Sequence, residues 1–196
     1  PCILWIDEIE KGLSGSQSSG QTDGGVSSRV FGTFLTWMQE KTAPVFVLAT
    51  SNNIEQLPPE MLRKGRFDEI FFCDLPTEEI RKDIFRIHLS THNEDNLHKF
   101  DLEKLAKLSR LFSGAEIEQT VKDGMFTAFH GQRDLVQLDV EDAINQTYPL
   151  AKTMRESITK MREWASARAR LASPENTESV EPTKDEKSIP RLKSER

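Results

Sequence analysis

The stretch Cys2-Ile3-Leu4-Trp5-Ile6-Asp7-Glu8 sets a continuous apolar run against two adjacent carboxylates. A run of this length suits a strand buried on both faces, as in a parallel sheet covered by helices. Pro44-Val45-Phe46-Val47-Leu48-Ala49-Thr50 has the same character. Between the two, Val30, Phe31, Phe34, Leu35 and Met38 recur at spacings of three and four, the pattern of an amphipathic helix. Strand, helix, strand is a βαβ unit, so the fold class read from the sequence is α/β with a parallel sheet. A third apolar run, Ile70-Phe71-Phe72-Cys73, follows.

Beyond Pro76 the pattern turns helical. Thr77 precedes Glu78 and Glu79, acids that suit the first turn of a helix. Further helices are expected from Asp101, from Ser113 to about His130, from Asp139 as cap through Ile144, and without a break from Leu150 to about Leu171. The expected organisation is 1–75, the α/β part; 76–172, an all-α subdomain; and 173–196, a polar tail with Pro174, Pro182 and Pro190 that is expected to be disordered. Residues 12–25 hold five Gly and four Ser, and are expected to form a mobile loop beside the acidic end of the first strand.

The 196 residues carry a net charge of −6 and are 36% hydrophobic. That composition supports a core, and disfavours a protein that coats phosphate backbones, so nucleic acid is not expected as a partner. No run approaches the roughly 18 apolar residues of a membrane span. Cys2 and Cys73 sit in apolar runs and are expected to be buried thiols, without a disulfide or metal role. The chain opens on Pro1 and enters a strand at once. The expectation is the C-terminal part of a longer protein.

Three stretches carry candidate chemistry. Asp7 and Glu8, at the end of an apolar strand, have the carboxylates that nucleotide hydrolysis needs for a Mg²⁺ shell and for activating water. Two acids at a helix start, favoured by its dipole, are the plain alternative. Leu48-Ala49-Thr50-Ser51-Asn52 ends a second strand in small polar residues. If the strands are neighbours, Asn52 reaches the same edge as the acids, although Asn is also common in turns. Leu62-Arg63-Lys64-Gly65-Arg66-Phe67-Asp68 places two guanidiniums around a glycine. They suit phosphate recognition, or simple surface pairing with Glu60 or Asp68.

Together and in this order these stretches resemble the AAA+ ATPases. Asp7-Glu8 is similar to the second half of a Walker B motif, with Asp7 at the Mg²⁺ and Glu8 activating water. Asn52 matches the family's sensor-1 position, eleven residues before Arg63. Arg63 and Arg66 match arginine fingers that act on a neighbouring subunit's nucleotide. Phe112-Ser113-Gly114-Ala115-Glu116 resembles the start of a lid helix whose Gly114 and Ala115 lie against adenine, and His88 matches an adenosine-contacting position. Val26-Ser27-Ser28-Arg29-Val30-Phe31, the stretch NNIEQLPPEMLRKGRFDEIFF and the stretch WASARARLA narrow the resemblance. They are similar to the AAA proteins of cyanobacteria and plastid genomes known as a hypothetical chloroplast reading frame.

The resemblance implies the C-terminal portion of a parallel-sheet P-loop NTPase large subdomain followed by a helical lid. It implies ATP and Mg²⁺ as cofactors, and ATP hydrolysis coupled to remodelling of a macromolecular client. It also implies a homo-oligomeric ring, a hexamer by resemblance, with an unknown protein client. The location implied is a cyanobacterial cytosol or plastid stroma. The rival expectation is a nucleotide-regulated assembly scaffold with little or no hydrolysis. The sequence departs from the family at two points. It has no G-x-x-x-x-G-K-[ST] loop, so the isolated chain is expected to be inactive and to bind ATP weakly or not at all. No arginine stands beside Gly114-Ala115, which leaves nucleotide sensing to Arg63 and Arg66.

Overall fold

The two apolar runs pair with each other. Cys2–Ile6 (β1) and Val45–Ala49 (β2) form a parallel pair, in register from Cys2 opposite Val45 to Ile6 opposite Ala49. This is a computed structural model, and it describes residues 1–13, 24–63, 65–173, 178 and 180. Between the strands lie Ile9–Leu13 (α1) and Gly24–Glu40 (α2), a βαβ crossover. The segment expected as a loop, 12–25, is helical at both ends, in α1 and α2, while residues 14–23 lie outside the described residues.

The chain divides into two units, Pro1–Ile70 and Phe71–Arg196. In the first, Ile9, Leu35, Leu57 and Met61 form the core, joined by Ile6, Phe34 and Ala49. Met61 is wholly buried at the Pro59–Leu62 3₁₀ turn, and so anchors the approach to Arg63. The strands are not buried on both faces as expected. Ile3 (74% exposed), Trp5 (68%), Phe46 (66%) and Leu48 alternate onto one face, and no described residue covers them. Cys2 is exposed, as is Cys73 in the second unit, which corrects the expectation of buried thiols.

The second unit is helical: Glu78–Asn93 (α3), Leu102–Leu108 (α4), Gly114–His130 (α5), Gln137–Gln146 (α6), Leu150–Thr153 (α7) and Arg155–Ser166 (α8). Phe85, Leu89, Leu105, Phe112, Ile117, Val121, Val140 and Ile144 form its core. The caps explain the boundaries. The Asp101 side chain accepts the Lys104 N–H at 2.9 Å and starts α4. Ser113 and Glu116 close a reciprocal capping box at α5.

Asp139 does not cap α6. It is the third helical residue, and its carboxylate reaches back to the Val136 N–H at 3.1 Å and takes a two-pronged bond from Arg133. The helix expected from Leu150 to Leu171 breaks at Met154 and stops at Ser166. Beyond it Arg170–Leu171 (β4) pairs in parallel with Phe71–Phe72 (β3), so the third apolar run takes its strand partner from the second unit. Two residues of the tail expected to be disordered, Glu178 and Val180, are packed: Glu178 binds the buried Arg81, and Val180 is 5% exposed. A carboxylate partner for a buried guanidinium and an apolar seat two residues on hold this part of a polar segment in place.

Candidate functional site

The parallel register continues one step past the strands and sets Asp7 opposite Thr50. The Thr50 N–H donates to Ile6 O at 2.9 Å, and the Ile9 N–H donates to Thr50 O at 2.9 Å. Glu8 between them takes φ +48°, a left-handed conformation that L residues adopt only under constraint. The constraint is visible. The Glu8 N–H donates to Thr50 Oγ1 at 3.0 Å, and that hydroxyl donates to Asp7 Oδ1 at 2.5 Å.

Asn52 Nδ2 donates to Glu8 Oε1 at 2.8 Å, and Lys11 Nζ pairs with Glu8 Oε2 at 2.6 Å. Asp7, Glu8 and Asn52, singled out in the sequence from two separate segments, therefore meet on one rim. Three further residues hold them there. Thr50 links the two acids, Lys11 occupies one Glu8 oxygen, and Glu10 Oε1 accepts the Asn52 backbone N–H at 3.0 Å. A third acid in Asp7-Glu8-Ile9-Glu10 was the available signal for Glu10.

Glu10 is 3% exposed. Burial works to raise its carboxyl, but its own backbone amide, the nearby Ser51 hydroxyl, the Asn52 amide and Lys11 together hold it below the ordinary glutamate value. Lys11 is pushed up, first by its bond to Glu8 and then by that group's charge. The rim is thus anionic, with one cation already committed to it.

Mg²⁺ is held in nucleotide sites by one or two carboxylates together with substrate phosphates. Asp7, exposed and with one oxygen fixed by Thr50, fits that donor role. No group of three or more His, Cys, Asp or Glu among the described residues forms a closed metal site. The acids suit an open hydrated cation shared with a ligand and not a protein cage.

The arginines are arranged differently from one another. Arg63 follows the Pro59–Leu62 turn and is exposed. Gly65 takes φ +91°, which a side chain would strain, and turns the chain so that Arg66 Nη1 donates to the Glu60 carbonyl. Arg66 Nε is buried without a partner among the described residues. Among the described residues neither guanidinium is hydrogen-bonded to Asp7, Glu8 or Asn52. Lys64 lies outside the described residues.

In the second unit, Gly114 opens α5. A Cβ there would meet Ile84 Cδ1 at 3.6 Å, an ordinary contact. Ile84 and His88 are one turn apart on α3, so Gly114 and half-buried His88 share a face, while Ala115 is exposed. Glu116 is used structurally: its carboxylate accepts the Ser113 N–H and the Leu150 N–H, each at 2.7 Å.

Residues 1–75 match the family model described as "ATPase family associated with various cellular activities (AAA)". The chain is 54% identical over 174 residues to an "Uncharacterized AAA domain-containing protein ycf46" of Pyropia yezoensis, covering 88% of this chain and 35% of that protein. It is 48% identical over the same length to the ycf46 protein of Guillardia theta, covering 88% and 34%. More distantly, it is 29% identical over 159 residues to "Peroxisomal ATPase pex1" of Schizosaccharomyces pombe, covering 80% and 16%. The chain therefore spans about a third of the length of the ycf46 relatives it matches.

Proposed function

Because the chain belongs to the AAA family and stands with its ycf46 members, we propose that it is the part of an ATPase that carries the hydrolytic acids, the sensing amide and the nucleotide-facing lid. The observation that supports this reading is the meeting of Asp7, Glu8 and Asn52 on one rim, from two parallel strands. In the proposed mechanism Asp7 holds the Mg²⁺ that accompanies the ATP phosphates and neutralises their charge when bound. Glu8 takes the proton of the attacking water. Asn52 holds Glu8 in its present position, and its amide can instead turn to a phosphate oxygen or to the water.

Thr50 keeps the two acids in a fixed relation, and Glu10 fixes the backbone from which the Asn52 amide reaches. Glu8 accepts from Asn52 at one oxygen and from Lys11 at the other, which orients the carboxylate and leaves each oxygen a lone pair for the proton of a water. Arg63 and Arg66 would complete the site of a neighbouring subunit, Arg66 after leaving the Glu60 carbonyl. On this reading the working unit is a ring, a hexamer by family resemblance. Gly114, Ala115 and His88 would receive the adenosine. The location proposed is a plastid stroma or cyanobacterial cytosol, and the client is a protein. Among the described residues no helix is long and apolar enough to cross a membrane.

The test is Glu8→Gln in the full-length protein. It should still bind ATP while hydrolysing it at least about a hundredfold more slowly. Wild-type turnover would refute the assignment. One observation favours a second reading: a Glu8 held at both oxygens is the resting arrangement expected of a nucleotide-regulated scaffold that binds ATP and scarcely hydrolyses it. Phosphate release by the full-length wild-type chain separates the two.

A further inference from the structure

Arg81 is 1% exposed, although Arg is almost never fully buried without partners. Two of its bonds come from its own neighbourhood. Nε donates to Ala106 O at 3.0 Å and Nη1 to Pro76 O at 2.8 Å. These fix the plane of the guanidinium and leave its fork to a carboxylate. That carboxylate is Glu178, 97 residues away: Nη1 reaches Oε2 at 3.1 Å and Nη2 reaches Oε1 at 2.9 Å.

Two further contacts hold the same segment. The Glu178 carbonyl accepts from Arg162 Nη1 at 3.1 Å, and Arg162 is itself paired with Asp74 at 2.8 Å. Val180 is buried with Leu111 and Ala151, beside Leu75 and Ile158. A preset guanidinium and an apolar seat, two residues apart along the ligand, form a receptor for a carboxylate-x-aliphatic segment. Each of its parts touches residues 74–76 or the helices that hold them. This is the stretch a few residues beyond the boundary between the two units at Ile70. None of these residues belongs to the proposed nucleotide site.

We propose that the Arg81 pocket is a docking site for this chain's own Glu178-x-Val180 segment. That segment is a clasp that stiffens residues 74–76 while docked and frees them when it leaves. The charged fork supplies specificity and the valine supplies the apolar contact, so loss of either opens the clasp.

The test uses the full 196-residue chain and leaves Arg81 intact, because an emptied buried site there could unfold the helices. Glu178→Gln and Val180→Asp are made separately and together, and amide exchange is followed by mass spectrometry. Peptides covering 74–81 should exchange at least about tenfold faster in each variant, while those within α5 stay as in wild type. A labelled synthetic peptide of residues 174–184 should bind the double variant and restore the protection, and should bind wild type poorly because its pocket is filled. The same peptide with Gln in place of Glu178 should fail. Unchanged exchange at 74–81, or equal binding of the two peptides, would overturn the proposal. So would wild-type protection that rises with protein concentration alongside a dimer in light scattering, since the segment would then dock on a second copy.

Discussion

Thr50→Val tests whether the rim works as an assembled unit. The substitution keeps the shape of the side chain and both backbone bonds of Thr50, to Ile6 O and from the Ile9 N–H. It removes only the hydroxyl, and with it the bond to Asp7 Oδ1 and the bond from the Glu8 N–H. A hydrogen bond to a charged group contributes about 1.5–3 kcal/mol and a neutral one about 0.5–1.5. Both are exposed here, so water replaces part of each and the lower ends apply, about 2 kcal/mol in total. Glu8 also sits at φ +48°, a conformation costing roughly 1–2 kcal/mol, and its N–H anchor helps to hold it there. Freed, the carboxylate leaves the position from which Asn52 meets it. About 2 kcal/mol corresponds to about a 30-fold loss of turnover. The assay is steady-state phosphate release by the full-length protein across ATP and Mg²⁺ concentrations. The expected result is a kcat lowered about 10- to 100-fold, a KM for ATP changed less than about threefold, and a higher Mg²⁺ requirement. Thr50→Ser, which keeps the hydroxyl, should recover most of the loss. A Thr50→Val enzyme within about twofold of wild type, or a Ser variant as slow as the Val variant, would refute the positioning role.

Arg66→Ala should abolish turnover in the full-length protein and regain it when mixed with Glu8→Gln subunits, because each supplies what the other lacks; no rescue at any mixing ratio would argue against action across a subunit boundary. The isolated 196-residue chain should show no tight ATP binding in calorimetry, since it has no phosphate loop; a micromolar isotherm would contradict this. The Arg133 bond, against the opposing effect of burial, holds the Asp139 carboxyl below its ordinary value. A depressed carboxylate stabilises the fold above its unfolded value of about 4, and that contribution is lost as pH falls through the folded value. Thermal stability of the chain should therefore fall below about pH 4, and Asp139→Asn should be less stable at pH 7 yet less sensitive to acid; an unchanged acid slope would refute this.

Asp7, Glu8 and Asn52 were legible because their positions depend on short-range information. Two apolar runs that pair in parallel bring their C-terminal ends to one edge, and the residues that follow each run meet there. Thr50 and Lys11 were not legible, and Glu10 only as a third acid, since their roles depend on the register that sets Asp7 against Thr50 and on the left-handed turn at Glu8. Neither is written in residue type. The helices of the second unit were readable for the same local reason: Asp101 and Ser113 are caps with side-chain acceptors. Asp139 was misread as a cap because an acid one turn into a helix looks like an acid at its start. The stop at Ser166 is tertiary: the chain gives up helix to pair Arg170–Leu171 with Phe71–Phe72.

The most non-local features were least visible. Nothing around Glu178 marks it as the partner of an arginine 97 residues earlier, and a polar segment with three prolines reads as one that buries nothing. The bare face of Ile3, Trp5, Phe46 and Leu48 is the converse case. Apolar content specifies that a face will be buried, but the residues that bury it must come from elsewhere, and here no described residue does so. That face and the acidic rim belong to the same strand pair and its C-terminal edge. A segment or partner that covered the apolar side would also brace the strand pair that leads to Asp7, Glu8 and Thr50. Apolar-to-charged changes at Trp5 or Phe46 in the full-length protein should therefore lower phosphate release through the rim's geometry, without touching Asp7, Glu8 or Asn52; unchanged turnover in both variants would refute this link.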